Sequence, residues 1–203
     1  MACTHFIVQK PMQTESLLCA IAAGKWVLAP SFLEESIEAR AFVPEAPHEW
    51  NEARAARMGL GRTVTALVRG CRLQRTAAER PFAKWDVFLC CASESRCQSF
   101  SHVLRCGGCK YIEPRRPYEL LEDCRLLQLY KSDEGENPFV LADDNMWDQE
   151  GLDEFAEISG GLQVLKLDYI SKCLYTENGS SEDYRSLQNL AIRKRPRSPS
   201  ADS

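Results

Sequence analysis

The stretch AIAAGKWVL, residues 20–28, decides the fold of this chain. Its first half completes a run of apolar residues with helical spacing that begins at Leu17. Gly24 then ends the helix, because glycine tolerates the left-handed conformation that follows a last helical turn. The next residues, Trp26 to Leu28, predict a short buried strand. A helix that passes directly into a strand is typical of α/β proteins, in which helices cover a parallel sheet.

The flanks of this stretch extend the same pattern in both directions. Upstream, residues 4–8 (THFIV) predict a strand, and Thr14 is a suitable N-cap for the helix. Downstream, Ser31 is predicted to cap a further helix, because Glu34 three residues later completes a capping box. The order strand, helix, strand, helix therefore occupies residues 1–50.

The helix after Ser31 carries three apolar residues, Phe32, Leu33 and Ile37. Their spacing places them on one side of the helix. We expect that side to face the core of the first unit.

Residues 51–80 are predicted to form a helical connector. Val64, Leu67, Val68 and Cys71 recur at helical spacing in a segment with seven arginines and two glutamates. The favoured interpretation is an amphipathic helix packed between two units, with its arginines in solvent. The alternative is a nucleic-acid-binding face, although no aromatic side chains alternate with the arginines to stack on bases.

A second unit is predicted over residues 81–177. Its four strands are expected where apolar runs lie between turn residues: 85–91, 110–112, 126–130 and 163–167. Its three helices are expected at 96–106, near 150–158, and from Asp168, as the N-cap, to Tyr175. The stretch 132–157 carries ten acidic residues and no lysine or arginine, and we interpret it as an exposed, solvated loop followed by the second of these helices.

The composition limits the classes of function. The chain has 203 residues, 44% hydrophobic and 27% charged, so most of it should fold into one large or two small units. The net charge of −4 gives no global electrostatic reason to bind nucleic acid. No apolar run reaches the roughly 18 residues of a membrane span. Ten cysteines without a recognisable secretory signal indicate reduced thiols in the cytosol or nucleus.

The last segment, residues 178–203, is rich in serine, arginine and proline and is predicted to be a disordered basic tail. It contains a basic cluster typical of nuclear-localisation signals: Arg193, Lys194, Arg195 and Arg197. We therefore expect the protein in the nucleus.

The motifs predict no catalytic centre, metal site or cofactor. Cys106 and Cys109 have the spacing of a redox or zinc motif, but they lie where a helix is expected to end, and there the helix dipole opposes thiolate formation. The three histidines show no paired spacing with cysteines that would complete a zinc site. The acids of residues 143–154 lack the glycine and ligand positions of an EF-hand loop. We expect neither an enzyme nor a small-molecule substrate.

The predicted units resemble BRCT repeats. Residues 4–8, 22–28 and 32–34 are similar to the second half of such a repeat. Residues 81–87, a helix that ends at Gly107-Gly108, and residues 165–170 are similar to a whole one. The resemblance implies an α/β chain of two small BRCT-type units, each with a four-stranded parallel sheet flanked by helices. The first unit is truncated, and the helical connector joins the two.

The resemblance also implies a site. In BRCT pairs, a hydroxyl residue near the first strand and a lysine of the second helix of the first repeat hold a phosphate, as suits a dianion. Here the chain begins at what corresponds to the third strand, and Ser16 stands at the lysine position. We therefore predict a degenerate phosphopeptide site that comprises Lys10, Thr14, Ser16 and Lys25, in which either lysine compensates if the fold places it near Thr14.

For function, the resemblance implies a non-enzymatic nuclear scaffold. Its expected partners are phosphorylated proteins of DNA repair, the DNA damage response and the replication checkpoint, with no membrane partner. The alternative is direct DNA binding through the arginine-rich connector and the basic tail.

Overall fold

Two parallel sheets organise the chain, of which this computed structural model describes residues 3–123, 137–159 and 164–176. The first unit contains β1 (His5–Ile7), α1 (Glu15–Ala22), β2 (Trp26–Leu28) and α2 (Ser31–Ala39). β1 and β2 pair in parallel, so that His5 lies opposite Trp26. The predicted order of strand, helix, strand and helix is confirmed.

The turns of the first unit form as predicted around α1. Thr14 is the N-cap, and its hydroxyl oxygen accepts a hydrogen bond from the Leu17 amide at 3.4 Å. Gly24 adopts a φ of +59° in the turn that leads to β2, a conformation that favours glycine. The indole of the buried Trp50 donates to the Val8 carbonyl oxygen at 3.0 Å and fixes the chain after α2 against the end of β1.

The prediction for α2 is wrong in two respects. Ser31 is the first residue of the helix rather than its cap, because Pro30 before it already has helical dihedral angles. The Ser31 hydroxyl instead forms a hydrogen bond with His48 Nδ1 at 2.9 Å. Phe32 is buried, but Leu33 and Ile37 are 42% and 74% exposed, so the apolar stripe does not face the core.

The connector contains two helices, α3 (Glu52–Arg57) and α4 (Arg62–Thr76), rather than one. The break falls at residues 58–61, where Gly59 has a φ of +66°. In α4, Leu67, Val68 and Cys71 are buried as their spacing predicted, and Val64 is half-buried.

The second unit continues with β3 (Trp85–Cys90), α5 (Glu94–Cys106), β4 (Tyr111–Pro114), α6 (Pro117–Glu122), β5 (Asn137–Ala142), α7 (Gln149–Ile158), β6 (Val164–Lys166) and α8 (Asp168–Tyr175). The four strands described in this unit are all parallel, in the order β4-β3-β5-β6. The predicted fold class, α/β with parallel sheets flanked by helices, is confirmed.

The acidic stretch contains an unpredicted central strand. β5 lies between β3 and β6, and its residues Val140 to Ala142 are buried, so this part of residues 132–157 is not an exposed loop. The predicted strand at 126–130 lies outside the described residues. The predicted cap Asp168 is instead the first residue of α8, since Leu167 before it already has helical dihedral angles.

Candidate functional site

The N-terminus of α1 holds two of the four predicted phosphopeptide-site residues. Thr14 and Ser16 are both exposed there, two positions apart. The Thr14 hydroxyl is already engaged as the helix cap. A helix N-terminus attracts anions through its free amides, but Ser16 adds no charge to it.

A carboxylate, Glu15, occupies the first turn between these two residues. Its oxygens accept a hydrogen bond from the Ser99 hydroxyl at 2.6 Å and lie 2.8 Å from His102 Nδ1, both on α5. The hydrogen bond from Ser99, and then the one from His102, lower the pKa of Glu15. An ionised carboxylate at this position opposes a bound phosphate, because like charges repel.

The two predicted lysines lie at opposite edges of the first sheet. Lys10 follows β1 and is exposed, on the same edge as Thr14. Lys25 precedes β2, and its amide bonds to the Ala20 carbonyl at the far end of α1. Eight residues of helix, roughly 12 Å, therefore separate Lys25 from Thr14. The structure brings Lys10, Thr14 and Ser16 to one edge of the first sheet, which we call the α1 edge, and does not bring Lys25 to them.

The same end of α1 is part of the contact between the two units. The Gln13 side chain donates to the Ser171 hydroxyl of α8 at 3.0 Å, next to the contacts of Glu15 with α5. Below these polar contacts, one apolar core runs through both units. It includes residues of α1, α4, α5 and α8: Leu17, Ile21, Leu67, Val68, Cys71, Val103, Leu104, Ile170 and Leu174. The two units therefore share one core and do not form two separate domains joined by a linker.

The connector helix α4 joins this contact through its backbone as well as its side chains. Gln74 donates to the carbonyl oxygens of Cys173 and Leu174 at 3.4 and 3.0 Å. A Cβ atom placed on Gly70 would clash with the Leu174 carbonyl oxygen. Only glycine permits so close an approach of α4 to α8.

Several connector arginines are committed to contacts within the chain. Arg75 donates two hydrogen bonds of 2.9 Å to the buried Glu49, and its guanidinium lies over the Trp26 ring. Arg69 pairs with Glu52 at 2.6 Å, and Arg54 donates to the Pro47 carbonyl. The expectation that the connector arginines are simply solvated is therefore wrong for Arg75.

The matching edge of the second sheet has a pocket of about 380 Å³ at the ends of β5 and β6. Its two cations are already paired, Arg96 with Asp143 and Lys166 with Asp144. The side chain of Asp143 is only 11% exposed and is held in this ion pair. Asp143 therefore does not lie on a solvated acidic surface. In α1, Ser16 lies two residues after the N-cap. The residue at the same position of α7 in the second unit is Glu150, which is acidic. The second unit therefore offers no unpaired cation for a phosphate at the residues that line this pocket.

The two cysteines of the Cys-x-x-Cys motif, Cys106 and Cys109, lie in different surroundings. The Cys109 thiol donates to the carbonyl oxygens of Trp85 and Tyr111, and burial raises its pKa to about 12. Cys106 is exposed at the end of α5, beside Cys19 of α1. Within residues 3–123, 137–159 and 164–176, no three metal-binding side chains converge. None of the helices described there has the length and hydrophobicity to cross a membrane.

Sequence reasoning missed the polar contacts between the units. Glu15 is 84 residues from Ser99 and 87 from His102, and no local pattern predicts such a contact. The nuclear-localisation cluster at 193–197 lies outside the described residues.

Part of the chain is similar in sequence to known proteins. No protein-family profile matches the chain. SMC5-SMC6 complex localization factor protein 1 of Bos taurus is 30% identical over 115 residues, 56% of this chain and 11% of that protein. The Homo sapiens protein of the same name is 29% identical over the same length. A BRCT domain-containing protein of Arabidopsis thaliana is 36% identical over 50 residues, 25% of this chain and 4% of that protein. The chain thus matches only a small part of each relative.

A solved structure shows the same fold. The crystal structure of the S. pombe Brc1 BRCT5-BRCT6 domains has a TM-score of 0.54 with this chain at 15% identity, and the match covers 90% of this chain and 85% of that one. The chain therefore has the α/β fold of a tandem BRCT pair, and its sequence similarity to a BRCT domain-containing protein supports the BRCT-domain family.

Proposed function

We propose that this chain is a non-enzymatic nuclear scaffold that binds protein partners, phosphorylated ones among them, in the DNA damage response and the replication checkpoint. The observation that carries the proposal is the single core through α1, α4, α5 and α8. It holds the two units in one orientation, and a preorganised surface loses little entropy when a partner binds.

The relatives support the signalling context. One is named as a localization factor for the SMC5-SMC6 complex. The motifs of residues 20–28 and 49–50 also resemble the C-terminal BRCT pair of DNA topoisomerase 2-binding protein 1. We propose a corresponding role for this chain, as a docking module for a protein complex that acts on damaged or replicating DNA.

Phosphate contributes little to binding at the α1 edge in this proposal. Ser16 brings a hydroxyl without a charge, Glu15 brings a negative charge, and Lys25 lies at the other edge of the sheet. Of the two lysines predicted from the sequence, Lys10 is the one that lies on the same edge as Thr14. The proposal is therefore that a partner's phosphate adds little to its affinity at this edge.

Direct DNA binding is the second candidate function. The observation in its favour is that Arg57, Arg62 and Arg72 are exposed on α3 and α4. Against it, Arg69 and Arg75 are paired with carboxylates, which reduces the positive field of the connector.

One binding experiment separates the two functions. Fluorescence anisotropy is measured with a panel of phosphothreonine peptides, their unphosphorylated counterparts and a DNA duplex, at about 50 and 200 mM salt. The scaffold proposal predicts that some peptides bind at both salt concentrations. DNA binding that falls steeply with salt, without peptide binding, would instead favour the alternative, because phosphate-backbone contacts release counterions.

Nuclear import is a separate part of the proposal. We assign it to the cluster of Arg193, Lys194, Arg195 and Arg197. A fluorescent reporter fused to residues 178–203 should accumulate in the nucleus, and replacing the four basic residues with alanine should abolish that accumulation. An evenly distributed reporter would contradict this assignment.

A further inference from the structure

One cysteine of each unit lies where α1 packs against α5. Cys19 is half-buried on α1, and Cys106 is the last residue of α5 and is exposed. The two side chains are close enough for a hydrogen bond between their sulfurs. The chain therefore carries a pair of adjacent thiols whose members belong to different units.

The packing of the two helices places these thiols together. A carboxylate oxygen of Glu15 on α1 lies 2.8 Å from Nδ1 of His102 on α5. Cys19 follows Glu15 by four residues, and Cys106 follows His102 by four residues. Residues four apart lie one above the other on the same side of a helix. The two cysteines are therefore the next opposed pair along a contact that the shared core already holds in place.

The other cysteine of the Cys-x-x-Cys motif is engaged elsewhere. The Cys109 thiol is buried and donates to the carbonyl oxygens of Trp85 and Tyr111 at 3.1 and 3.2 Å. The thiol available to Cys106 is therefore Cys19 of the other unit rather than its neighbour in the motif.

Exposure and pKa give the two adjacent thiols different roles. Burial, followed by the neighbouring Cys106, raises the pKa of the Cys19 thiol to about 12, so this thiol stays protonated near neutral pH. A disulfide in solution can reach an exposed sulfur, and Cys106 is the exposed member of the pair. Cys106 is therefore the thiol that reacts first, and Cys19 is the one that completes the bond.

We propose that Cys19 and Cys106 form a redox-modification site, at which glutathione disulfide closes a disulfide bond between the two units. In a reduced glutathione pool the pair stays as two thiols, and oxidation of the pool closes it. The site is a crosslink set by equilibrium and not a redox catalyst, because the C-terminal end of a helix does not favour a reactive thiolate. It depends on the packing of α1 on α5 and is independent of the proposed function.

The bond forms by two thiol–disulfide exchanges. First, the Cys106 sulfur gives its proton to solvent and attacks one sulfur of glutathione disulfide, which forms a mixed disulfide and releases one glutathione that takes up a proton. Next, the Cys19 sulfur loses its proton, attacks the Cys106 sulfur and displaces the second glutathione. Two protein thiols are thus oxidised to one disulfide, while one glutathione disulfide is reduced to two thiols. The adjacency of Cys19 gives it a high effective concentration in the second exchange.

Oxidation should stabilise the contact between the units. A disulfide that closes a long loop removes conformational entropy from the unfolded chain, and this loop extends from α1 to the end of α5. The melting temperature of the crosslinked chain should therefore rise by about 5–10 °C.

Oxidation of the full chain with glutathione buffers tests the proposal. The reduced protein is incubated at increasing fractions of glutathione disulfide, its free thiols are alkylated, and its intact mass is measured. The oxidised parent should carry two fewer alkyl groups than the reduced chain and no bound glutathione. Cys106→Ser should prevent this change, whereas Cys19→Ser should leave one glutathione on Cys106. Cys3→Ser, at another exposed cysteine, is the matched control and should leave the crosslink unchanged.

Four results would overturn the proposal. Absence of the crosslink, or a parent that retains glutathione on Cys106, would show that the two thiols do not combine. A crosslink that persists in Cys19→Ser would place the bond at another cysteine. A disulfide between two chains, detected on a non-reducing gel, would assign Cys106 to another contact. A crosslinked parent that melts no higher than the reduced one would show that the bond does not join the units in their native arrangement.

Discussion

Arg75 of the connector lies over the indole ring of Trp26, with its guanidinium carbon 3.5 Å from the ring centroid. The same guanidinium donates to both carboxylate oxygens of Glu49, which is buried. One side chain of α4 thus connects β2 with the segment that follows α2. The contact fixes the connector against the first unit, while the other side of α4 packs on α8.

Arg75→Ala should lower the free energy of unfolding by about 3 kcal/mol, because it leaves the buried Glu49 carboxylate without its partner. Urea denaturation measures the change. Arg72→Ala is the matched control, since Arg72 lies on the same helix and is exposed, and it should change stability by less than about 0.5 kcal/mol. Equal effects of the two variants would contradict the role given to Arg75.

Leu67→Asp should lower the free energy of unfolding by about 3 kcal/mol or more. Leu67 is 1% exposed in the core shared by both units, so the variant would bury an unpaired charge. Met58→Asp, at an exposed residue near the end of α3, should have little effect. Thermal unfolding of both variants checks this, and a Leu67→Asp variant that melts like the parent would show that α4 does not pack between the units.

Gly70→Ala should destabilise the protein by about 1–3 kcal/mol, because its Cβ would meet the Leu174 backbone and push α4 away from α8. Gly61→Ala is the control, since no atom lies within 4 Å of a Cβ placed there. Gly61 is the N-cap of α4, where alanine in place of glycine should cost only about 0.5 kcal/mol. Denaturation midpoints that fall equally in both variants would contradict the close approach of the two helices.

Asp143 should make stability depend on pH. Burial raises the pKa of Asp143, but hydrogen bonds from Arg96 and the Ala92 amide, with the charge of Arg96, outweigh it, and the pKa lies below its ordinary value of 3.8. A pKa lower in the folded than in the unfolded state contributes stability above about pH 4, which is lost as the pH falls through the folded-state pKa.

Asp143→Asn should therefore be less stable than the parent at pH 7 by about 1–2 kcal/mol, and the difference should shrink as the pH falls through the folded-state pKa, which lies below 3.8. Urea denaturation over a series of pH values from 7 into acid measures it. Asp144→Asn removes a more exposed ion pair and should cost less than about 1 kcal/mol. If the difference in the free energy of unfolding between Asp143→Asn and the parent stays the same in acid, ionisation of the carboxylate is not its cause.

The local signals predicted the fold of the first unit well. Thr14 and Gly24 bound α1 as expected, because caps and glycine turns depend on nearby backbone. The same reasoning failed at Ser31 and Asp168, each of which follows a residue that already has helical dihedral angles. A preceding residue that extends the helix removes the need for a cap, and sequence spacing does not show it.

The core and the site were harder to predict, for a different reason. Ile37 has the spacing of a core residue, but burial depends on whether another element covers that side of the helix. β5 was missed because its apolar residues lie among ten acids, which dominate the composition of the stretch. The contacts of Glu15 with α5 and of Arg75 with Glu49 join residues distant in sequence, so only the folded chain reveals them.

The position of Ser16 tests the account of the α1 edge most directly. Anisotropy is measured with paired phosphorylated and unphosphorylated threonine peptides on the parent and on Ser16→Lys. The account predicts that the parent discriminates the two peptides weakly. It also predicts that Ser16→Lys increases the preference for the phosphorylated peptide about ten- to a hundredfold, as expected for one hydrogen bond to a charged group. Tight, phosphate-dependent binding by the parent that Ser16→Lys leaves unchanged would contradict it.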